Sequence, residues 1–186
     1  MAMAETGRAS YSAAAKWLHW IMAVMILASV SVGLTMVRLP DGPVQDKLYG
    51  NHEAFGVIIF VFALVRLINR LASPPPAPAP QLTRFERIAS VATHHLLYVL
   101  MLAMPLVGWA GKSAYGAPLS VFGLFEVPAI LSKNETVSNV LWAIHRFGGY
   151  LVALLLVAHI GGALMHLLIK RDGVFERMWP GKMQGR

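Results

Sequence analysis

Long apolar stretches, interrupted by charged residues only near their ends, dominate the chain. A helix needs roughly 20 such residues to cross a hydrocarbon layer about 30 Å thick. Four stretches meet this requirement, at about 12–37, 52–71, 87–110 and 141–169. The pattern therefore predicts an all-α fold, a transmembrane four-helix bundle that forms a single membrane domain over residues 1–186.

The segments between the apolar stretches are rich in residues that end helices. Residues 39–43 read Leu-Pro-Asp-Gly-Pro and predict a turn. Residues 73–80 contain five prolines, which lack the amide hydrogen and clash with a preceding helical turn, so they predict a short extended linker. Residues 111–139 carry scattered glycines, prolines and charges, which predicts a loop with a short amphipathic piece.

Composition agrees with a membrane protein. Hydrophobic residues make up 56% of the chain and charged residues 13%, whereas a soluble domain carries about 25% charged residues. The sequence contains no cysteine. This excludes disulfides, iron–sulfur clusters, thiolate zinc sites and haem attached through thioether bonds.

Basic residues explain the formal charge of +7 and indicate an orientation. The N-terminal segment through Lys16 holds two lysines and arginines, the end of the second stretch through Arg87 holds four, and the tail from Lys170 holds five, which makes eleven against four in the other two connections. Basic residues are enriched in cytoplasmic connections, so we expect a multi-pass protein with both termini in the cytoplasm. Anionic lipid of the bilayer is the expected partner of these charges, and no nucleic acid is expected. The first stretch is longer than the apolar core of a signal peptide, and we interpret it as a retained helix.

Histidines are the candidate functional residues of the predicted membrane spans. An ionisable side chain inside a membrane is costly and marks a functional candidate, and neutral imidazole is a good ligand for haem iron. His145 and His159 lie about 21 Å apart along the fourth helix and within roughly 40° of the same face. One helix thus presents ligands at two heights, which favours two haem b groups over one compact site. There are seven histidines in all: His19, His52, His94, His95, His145, His159 and His166.

Each ligand needs a partner at its own height in the bilayer. Measured from the span midpoints, His145 lies about 15 Å and His52 about 14 Å toward the outside, so these two match. His159 lies about 6 Å toward the inside, and both His19, at about 9 Å, and His95, at about 6 Å, match it. Depth alone leaves His19 and His95 as alternatives.

Taken together, these motifs resemble the bacterial cytochrome b561 family, the four-helix di-haem b cytochromes, over nearly the whole chain. The motifs are Trp17-Leu18-His19-Trp20, Asn51-His52-Glu53, Val65-Arg66-Leu67, the proline-rich linker, His95-Leu96-Leu97-Tyr98, Met104-Pro105-Leu106-Val107-Gly108, and His145 with His159.

The resemblance implies a ligand set, a location and an activity. It implies that His52 and His145 bind the outer haem iron, that His19 and His159 bind the inner one, and that the chain lies in the bacterial inner membrane. Members of the family exchange single electrons with ubiquinone, and one branch oxidises superoxide outside the cytoplasm. Since the sequence has no obvious extramembrane docking domain, we favour a superoxide:ubiquinone oxidoreductase. The alternative is a cytochrome b subunit that relays electrons between a dehydrogenase or hydrogenase partner and the quinone pool.

Further polar residues are candidates for binding substrates. His95, His166 and Arg66 converge on the cytoplasmic half and are candidates for the quinone and proton site. Arg66 is alternatively the partner of a haem propionate, and His95 a buried interhelical hydrogen-bonding residue. Cationic side chains on the outer face would steer anionic superoxide. These are Arg38, Lys47, Lys112, Lys133 and Arg146.

Overall fold

A four-helix bundle makes up most of the computed structural model, which describes residues 10–79 and 81–181. The helices are α1 (Ala13–Met36), α2 (Pro43–Ala72), α3 (Arg84–Tyr115) and α4 (Glu135–Leu164). All four are long and apolar enough to cross a membrane. The predicted transmembrane four-helix fold is confirmed. Pro80 of the predicted linker, and the basic residues of 1–9 and 182–186 counted for orientation, lie outside the described residues.

Polar helix ends make three of the helices longer than the apolar stretches. α2 begins at Pro43, because proline is favourable in the first turn, where its missing amide hydrogen has no helical partner. α3 begins after Thr83, whose side chain and that of Glu86 form a reciprocal capping box. α4 begins after Asn134, whose side chain accepts a hydrogen bond from the Val137 amide. Counting apolar residues misses such ends.

The segment 111–139 is more ordered than the predicted loop with a short amphipathic piece, and that prediction is corrected here. α3 continues to Tyr115 and ends at Gly116, which has a left-handed φ of 84°. An antiparallel hairpin follows, formed by β1 (Leu119–Val121) and β2 (Phe125–Val127). The β1 side chains Leu119 and Val121 pack on buried Ala54 of α2. We call this end of the bundle, with residues 37–42 and 116–134, the hairpin end.

The opposite end, with residues 73–83 and 171–181, is called the linker end. There α4 continues into a π-helical turn, Met165–Lys170, and Lys170 forms an ion pair with Glu86 of α3. The last described segment folds back onto α1. The indole nitrogen of Trp20 donates to the Met178 carbonyl at 3.0 Å, and the Tyr11 amide donates to the Arg177 carbonyl at 3.3 Å.

Close packing between α3 and α4 contrasts with the open outer faces of the bundle. The buried Ser138 hydroxyl donates to the Gly111 carbonyl at 3.3 Å, and Met104 fills the space beside Gly148. Outward-facing apolar side chains remain exposed, such as Val24 at 67% and Leu154 at 66%. Exposed large apolar side chains on all helices are what a lipid-facing surface requires.

Candidate functional site

A pair of imidazole rings, His52 of α2 and His145 of α4, lies at the hairpin end. Their ring centroids are 6.0 Å apart and the ring planes are nearly perpendicular, at 89°. The Nδ1–H of His52 donates to the Ser29 carbonyl of α1 at 3.0 Å, and the Ser29 hydroxyl lies 3.2 Å from the same nitrogen. A hydrogen bond that protonates Nδ1 leaves the Nε2 lone pair free to bind a metal.

Two glycines bring neighbouring helices against these rings. A Cβ at Gly33 of α1 would come within 3.1 Å of His52 Cε1, and one at Gly108 of α3 within 3.1 Å of His145 Cε1. Both distances are shorter than ordinary van der Waals contact, so a side chain at either position would push on the ring. The His145 ring also packs edge-on against Trp142, with centroids 6.0 Å apart.

A second pair, His19 of α1 and His159 of α4, lies toward the linker end. Its ring centroids are also 6.0 Å apart, with an interplanar angle of 74°. A third imidazole, His94 of α3, lies closer to His159, at 5.1 Å. The structure thus brings into the group His94, a histidine to which the sequence patterns assigned no role.

Ring separation distinguishes the possible pairs. Metal–imidazole bonds are about 2 Å long, so two imidazoles on opposite sides of one metal ion have centroids roughly 6 Å apart. The pairs His19–His159 and His52–His145, both at 6.0 Å, meet this distance. The pair His94–His159, at 5.1 Å, is too close. The geometry therefore fits the ligand set that the family resemblance implies.

The donor set also fits haem better than a bare metal ion. Among the described residues, no group of three or more histidine, cysteine or carboxylate side chains could hold a metal ion. Two axial imidazoles per site suffice when a porphyrin supplies the remaining ligands. Both pairs border one continuous cavity of about 2140 Å³, larger than the roughly 300–1,000 Å³ of an ordinary ligand pocket. The residues present therefore fit haem at both pairs.

His95, the alternative partner left open by depth, is placed differently. Its Nδ1–H donates to the Val91 carbonyl of its own helix at 2.7 Å, and its side chain is exposed. Within the described chain, the His95 ring does not contact the His159 ring, whereas the His19 ring does. Of the two alternatives, His19 has the geometry of an axial partner.

Arg66 of α2 lies at the level of the linker-end pair. Its Nε donates to the Tyr98 hydroxyl at 3.0 Å, and its guanidinium lies 5.5 Å from the centroid of the Tyr98 ring. Its Nη1 is buried and has no hydrogen-bond partner among the described residues. A buried cationic donor without a partner suits an anionic or carbonyl oxygen of a bound molecule.

His166 is the buried histidine of the π-helical turn. Its Nδ1 lies 2.7 Å from the Asp172 carboxylate, and the two side chains are 10% and 14% exposed. His166, Arg66 and His95 border the same cavity. Within the described chain they make no hydrogen bond to one another. Their predicted convergence on a quinone remains a prediction.

The candidate cations at the hairpin end differ in their environments. Lys112 pairs with Glu53 at 2.7 Å, and the Lys133 methylenes pack against Gly116. Arg38, which follows α1, donates to the Leu34 carbonyl in the last turn of that helix. Arg146 borders the cavity beside His145. Of these candidate cations, only Lys112 forms an ion pair with an acidic side chain within the described residues.

The sequence patterns assigned no role to four side chains that lie near the pairs. They are Ser29, Glu53, His94 and Tyr98. His94 and Tyr98 are four residues apart and share one face of α3, a spacing that could have identified them. Ser29 gave no signal, because a serine inside an apolar helix usually bonds to its own backbone.

Comparison with known proteins agrees with this arrangement. The family model described as prokaryotic cytochrome b561 matches residues 10–181. The chain is 34% identical over 162 residues to cytochrome b561 homolog 2 of Escherichia coli (strain K12), covering 86% of each protein. It is 29% identical over 165 residues to cytochrome b561 homolog 1 of the same strain, covering 88% of this chain and 93% of that one.

A more distant relative has a name that includes an activity. The chain is 23% identical over 176 residues to the probable superoxide oxidase CybB of Yersinia pestis, covering 92% of this chain and 97% of that one. The family is one of electron-transferring membrane cytochromes and implies b-type haem. With the family model matched from residue 10 to residue 181, this chain belongs to the prokaryotic cytochrome b561 family.

Proposed function

We propose that the chain is a di-haem b cytochrome of the bacterial inner membrane that oxidises superoxide at the hairpin end and reduces ubiquinone at the linker end. The observation that carries this proposal is the presence of two histidine pairs in one bundle, each with ring centroids 6.0 Å apart. Because His145 and His159 are about 21 Å apart along α4, the pairs lie at two depths of a bilayer about 30 Å thick.

The histidines hold and orient the cofactors in this proposal. His52 and His145 would hold one haem at the hairpin end, and His19 and His159 would hold the other at the linker end. When bound, haem would supply reversible one-electron exchange between ferric and ferrous iron. With two histidines holding each iron, electron transfer without bonding of oxygen to the metal is expected. Ser29 fixes the tautomer of His52 through the Nδ1 hydrogen bond.

Polar groups at the linker end suit a quinone. Reduction of a quinone needs hydrogen-bond donors for its carbonyl oxygens and a source of protons. Arg66 offers a buried Nη1 without a partner among the described residues. His166, held by the Asp172 carboxylate at 2.7 Å, is the proposed proton donor. His95 also borders the cavity, and it ranks below the other two because its Nδ1 already bonds to its own helix.

Orientation follows from the charges. The proposal puts the linker end in the cytoplasm, where lysines and arginines are enriched, and the hairpin end outside. Superoxide is an anion, and cationic side chains at the hairpin end would raise its local concentration. Arg146 borders the cavity there and forms no ion pair with another described residue.

The test starts with the purified protein in detergent. We expect a b-type absorption spectrum and two haems per chain by pyridine haemochrome quantification. A superoxide-generating system should then reduce the haem within seconds, and added ubiquinone should reoxidise it. A colourless protein would contradict the cofactor assignment.

The alternative function gives a different result in the same experiment. A relay subunit would contain both haems and react with quinol, but superoxide would not reduce it faster than it reduces a bis-histidine haem peptide used as control. In that case, the electron donor is a dehydrogenase partner, and superoxide oxidation is rejected.

A further inference from the structure

An ion pair lies across the hairpin end beside the His52–His145 pair. The Lys112 Nζ of α3 is 2.7 Å from the Glu53 Oε1 of α2, and the two side chains are 22% and 18% exposed. Both residues lie close in sequence to a residue that belongs to the histidine pair or contacts it. Glu53 follows His52 directly, and Lys112 lies one helical turn after Gly108, which contacts the His145 ring.

The charges around this mouth of the cavity are balanced. In the described part of the chain, the charged side chains that border the cavity at the hairpin end are Asp46, Glu53, Lys112 and Arg146. Two are acidic and two are basic, so their formal charges cancel. A partly buried pair is screened less by salt than a surface pair, so removing either member leaves the other as a local charge.

We propose that Glu53 is a specificity-determining residue that offsets Lys112 and thereby sets the charge preference of the hairpin end for small redox partners. This inference rests on the proposed function only in assuming that electrons cross the hairpin end. With Glu53 present, the charges at the mouth cancel, so anions are attracted there less strongly than Lys112 and Arg146 alone would attract them. Without it, Lys112 and Arg146 attract anions, and without Lys112 the carboxylates repel them.

The test uses the holoprotein and two artificial acceptors that need no proton. The dithionite-reduced protein is freed of excess reductant and mixed with ferricyanide, an anion, or with tris(bipyridine)cobalt(III), a cation. Each acceptor takes one electron from ferrous haem, which becomes ferric, and gives ferrocyanide or the cobalt(II) complex. Stopped-flow absorbance gives both rates, and their ratio cancels changes in haem content and driving force.

Opposite shifts are expected for the two single variants. At low ionic strength, Glu53→Gln should raise the ratio of the ferricyanide rate to the cobalt rate by roughly three- to tenfold, and Lys112→Gln should lower it by a similar factor. The double variant should return close to the wild-type ratio. All of these shifts should shrink at about 0.5 M salt, where charges are screened within a few ångströms.

A matched control removes an acid from the same end but outside the cavity. Glu126 of β2 is exposed and forms no ion pair with another described residue, and Glu126→Gln should change the ratio by less than about 1.5-fold. The proposal is overturned if Glu53→Gln changes the ratio no more than Glu126→Gln does. It is also overturned if both single variants shift the ratio in the same direction, as a merely structural ion pair would.

The rate at which superoxide reduces the protein provides a separate test. If superoxide reduces the wild-type protein, Glu53→Gln should increase that rate and Lys112→Gln should decrease it. If superoxide does not react with the wild type, the superoxide part of the proposed function fails, while the acceptor ratios still decide the role of Glu53.

Discussion

The two histidine pairs have the same ring separation but different surroundings. At the hairpin end, His52 is fixed by the Ser29 carbonyl, and Gly33 and Gly108 bring helix backbones against the rings. At the linker end, no hydrogen bond to either ring is formed within the described residues. Polar and aromatic side chains gather there instead, with His94 5.1 Å from His159 and Trp20 5.6 Å from His19.

The difference suggests a division of labour within one bundle. A pair seated by the Ser29 carbonyl and by two glycine contacts is suited to exchange electrons alone. A pair surrounded by Arg66, His94 and the His166–Asp172 couple is suited to a second molecule whose reduction needs hydrogen bonds and protons. The following predictions test this comparison, from the largest expected effect to the smallest.

Removing an axial ligand should abolish one haem and leave the other. His52→Ala or His145→Ala should reduce haem content from two per chain to one, and His19→Ala or His159→Ala should do the same with loss of a different spectral component. In the proposed assignment, each substitution would remove one of the two protein ligands of one iron. Pyridine haemochrome assay and low-temperature absorption spectra measure both effects.

His94→Ala is the control for the linker-end pair, because its ring is too close to His159 to share an iron. It should retain both haems. If His94→Ala loses a haem while His19→Ala keeps both, the assignment of His19 as an axial ligand is wrong.

Changes at His166 should slow quinone reduction without loss of haem. His166→Gln is expected to lower the rate about tenfold or more, and Asp172→Asn several-fold, since general acid catalysis contributes roughly 10²–10⁴. His95→Gln should have the smallest effect of the three. Single-turnover oxidation of reduced protein by a short-chain ubiquinone measures these rates. Equal effects of all three changes would contradict the ranking, and loss of haem in any of them would show a structural role.

Filling the glycine contacts should weaken the hairpin-end haem selectively. Gly33→Ala and Gly108→Ala put a Cβ 3.1 Å from a ring carbon, so the histidine must shift, at a cost of about 1–3 kcal/mol. We expect faster loss of one haem to apomyoglobin and a shifted spectrum for that component. Gly161→Ala is the matched control, because nothing lies within 4 Å of its added Cβ. Equal haem loss from all three variants would contradict the proposed contact.

Removing helix caps should have the smallest effect and should be similar at the two ends. Thr83→Ala at the linker end and Asn134→Ala at the hairpin end each remove a side-chain acceptor for a helix amide. Each should lower the free energy of unfolding by about 1 kcal/mol and leave the haem spectrum unchanged. Thermal denaturation followed at the haem band measures this. A much larger loss for one cap would show that its end of the bundle depends on more than helix initiation.

Sequence patterns predicted the bundle well because membrane spans carry their own signal. Twenty apolar residues in a row determine a helix almost alone, whereas the polar first turns of α2 and α4 depend on local caps at Pro43 and Asn134 that an apolar count ignores. The β hairpin depends on long-range packing of Leu119 and Val121 on Ala54, which no local pattern predicts.

The pairing of ligands was only partly predictable for a similar reason. Spacing along α4 located His145 and His159, but choosing the partner of His159 requires knowing how three helices are rotated about their axes. Depth is one coordinate, and His19, His94 and His95 share it within a few residues. Rotation brings His19 and His94 to His159 and turns His95 away.

The contact between Trp20 and the Met178 carbonyl has a consequence for the order in which the protein is completed. Every residue described around the His52–His145 pair lies between Ser29 and Arg146, so that wall is complete once α4 has been translated. Phe175 and Trp179 pack against Trp20, whose ring lies 5.6 Å from that of His19, and both are translated after α4. During synthesis, one half of the molecule is therefore finished while the other is still open to the lipid and to its incoming cofactor.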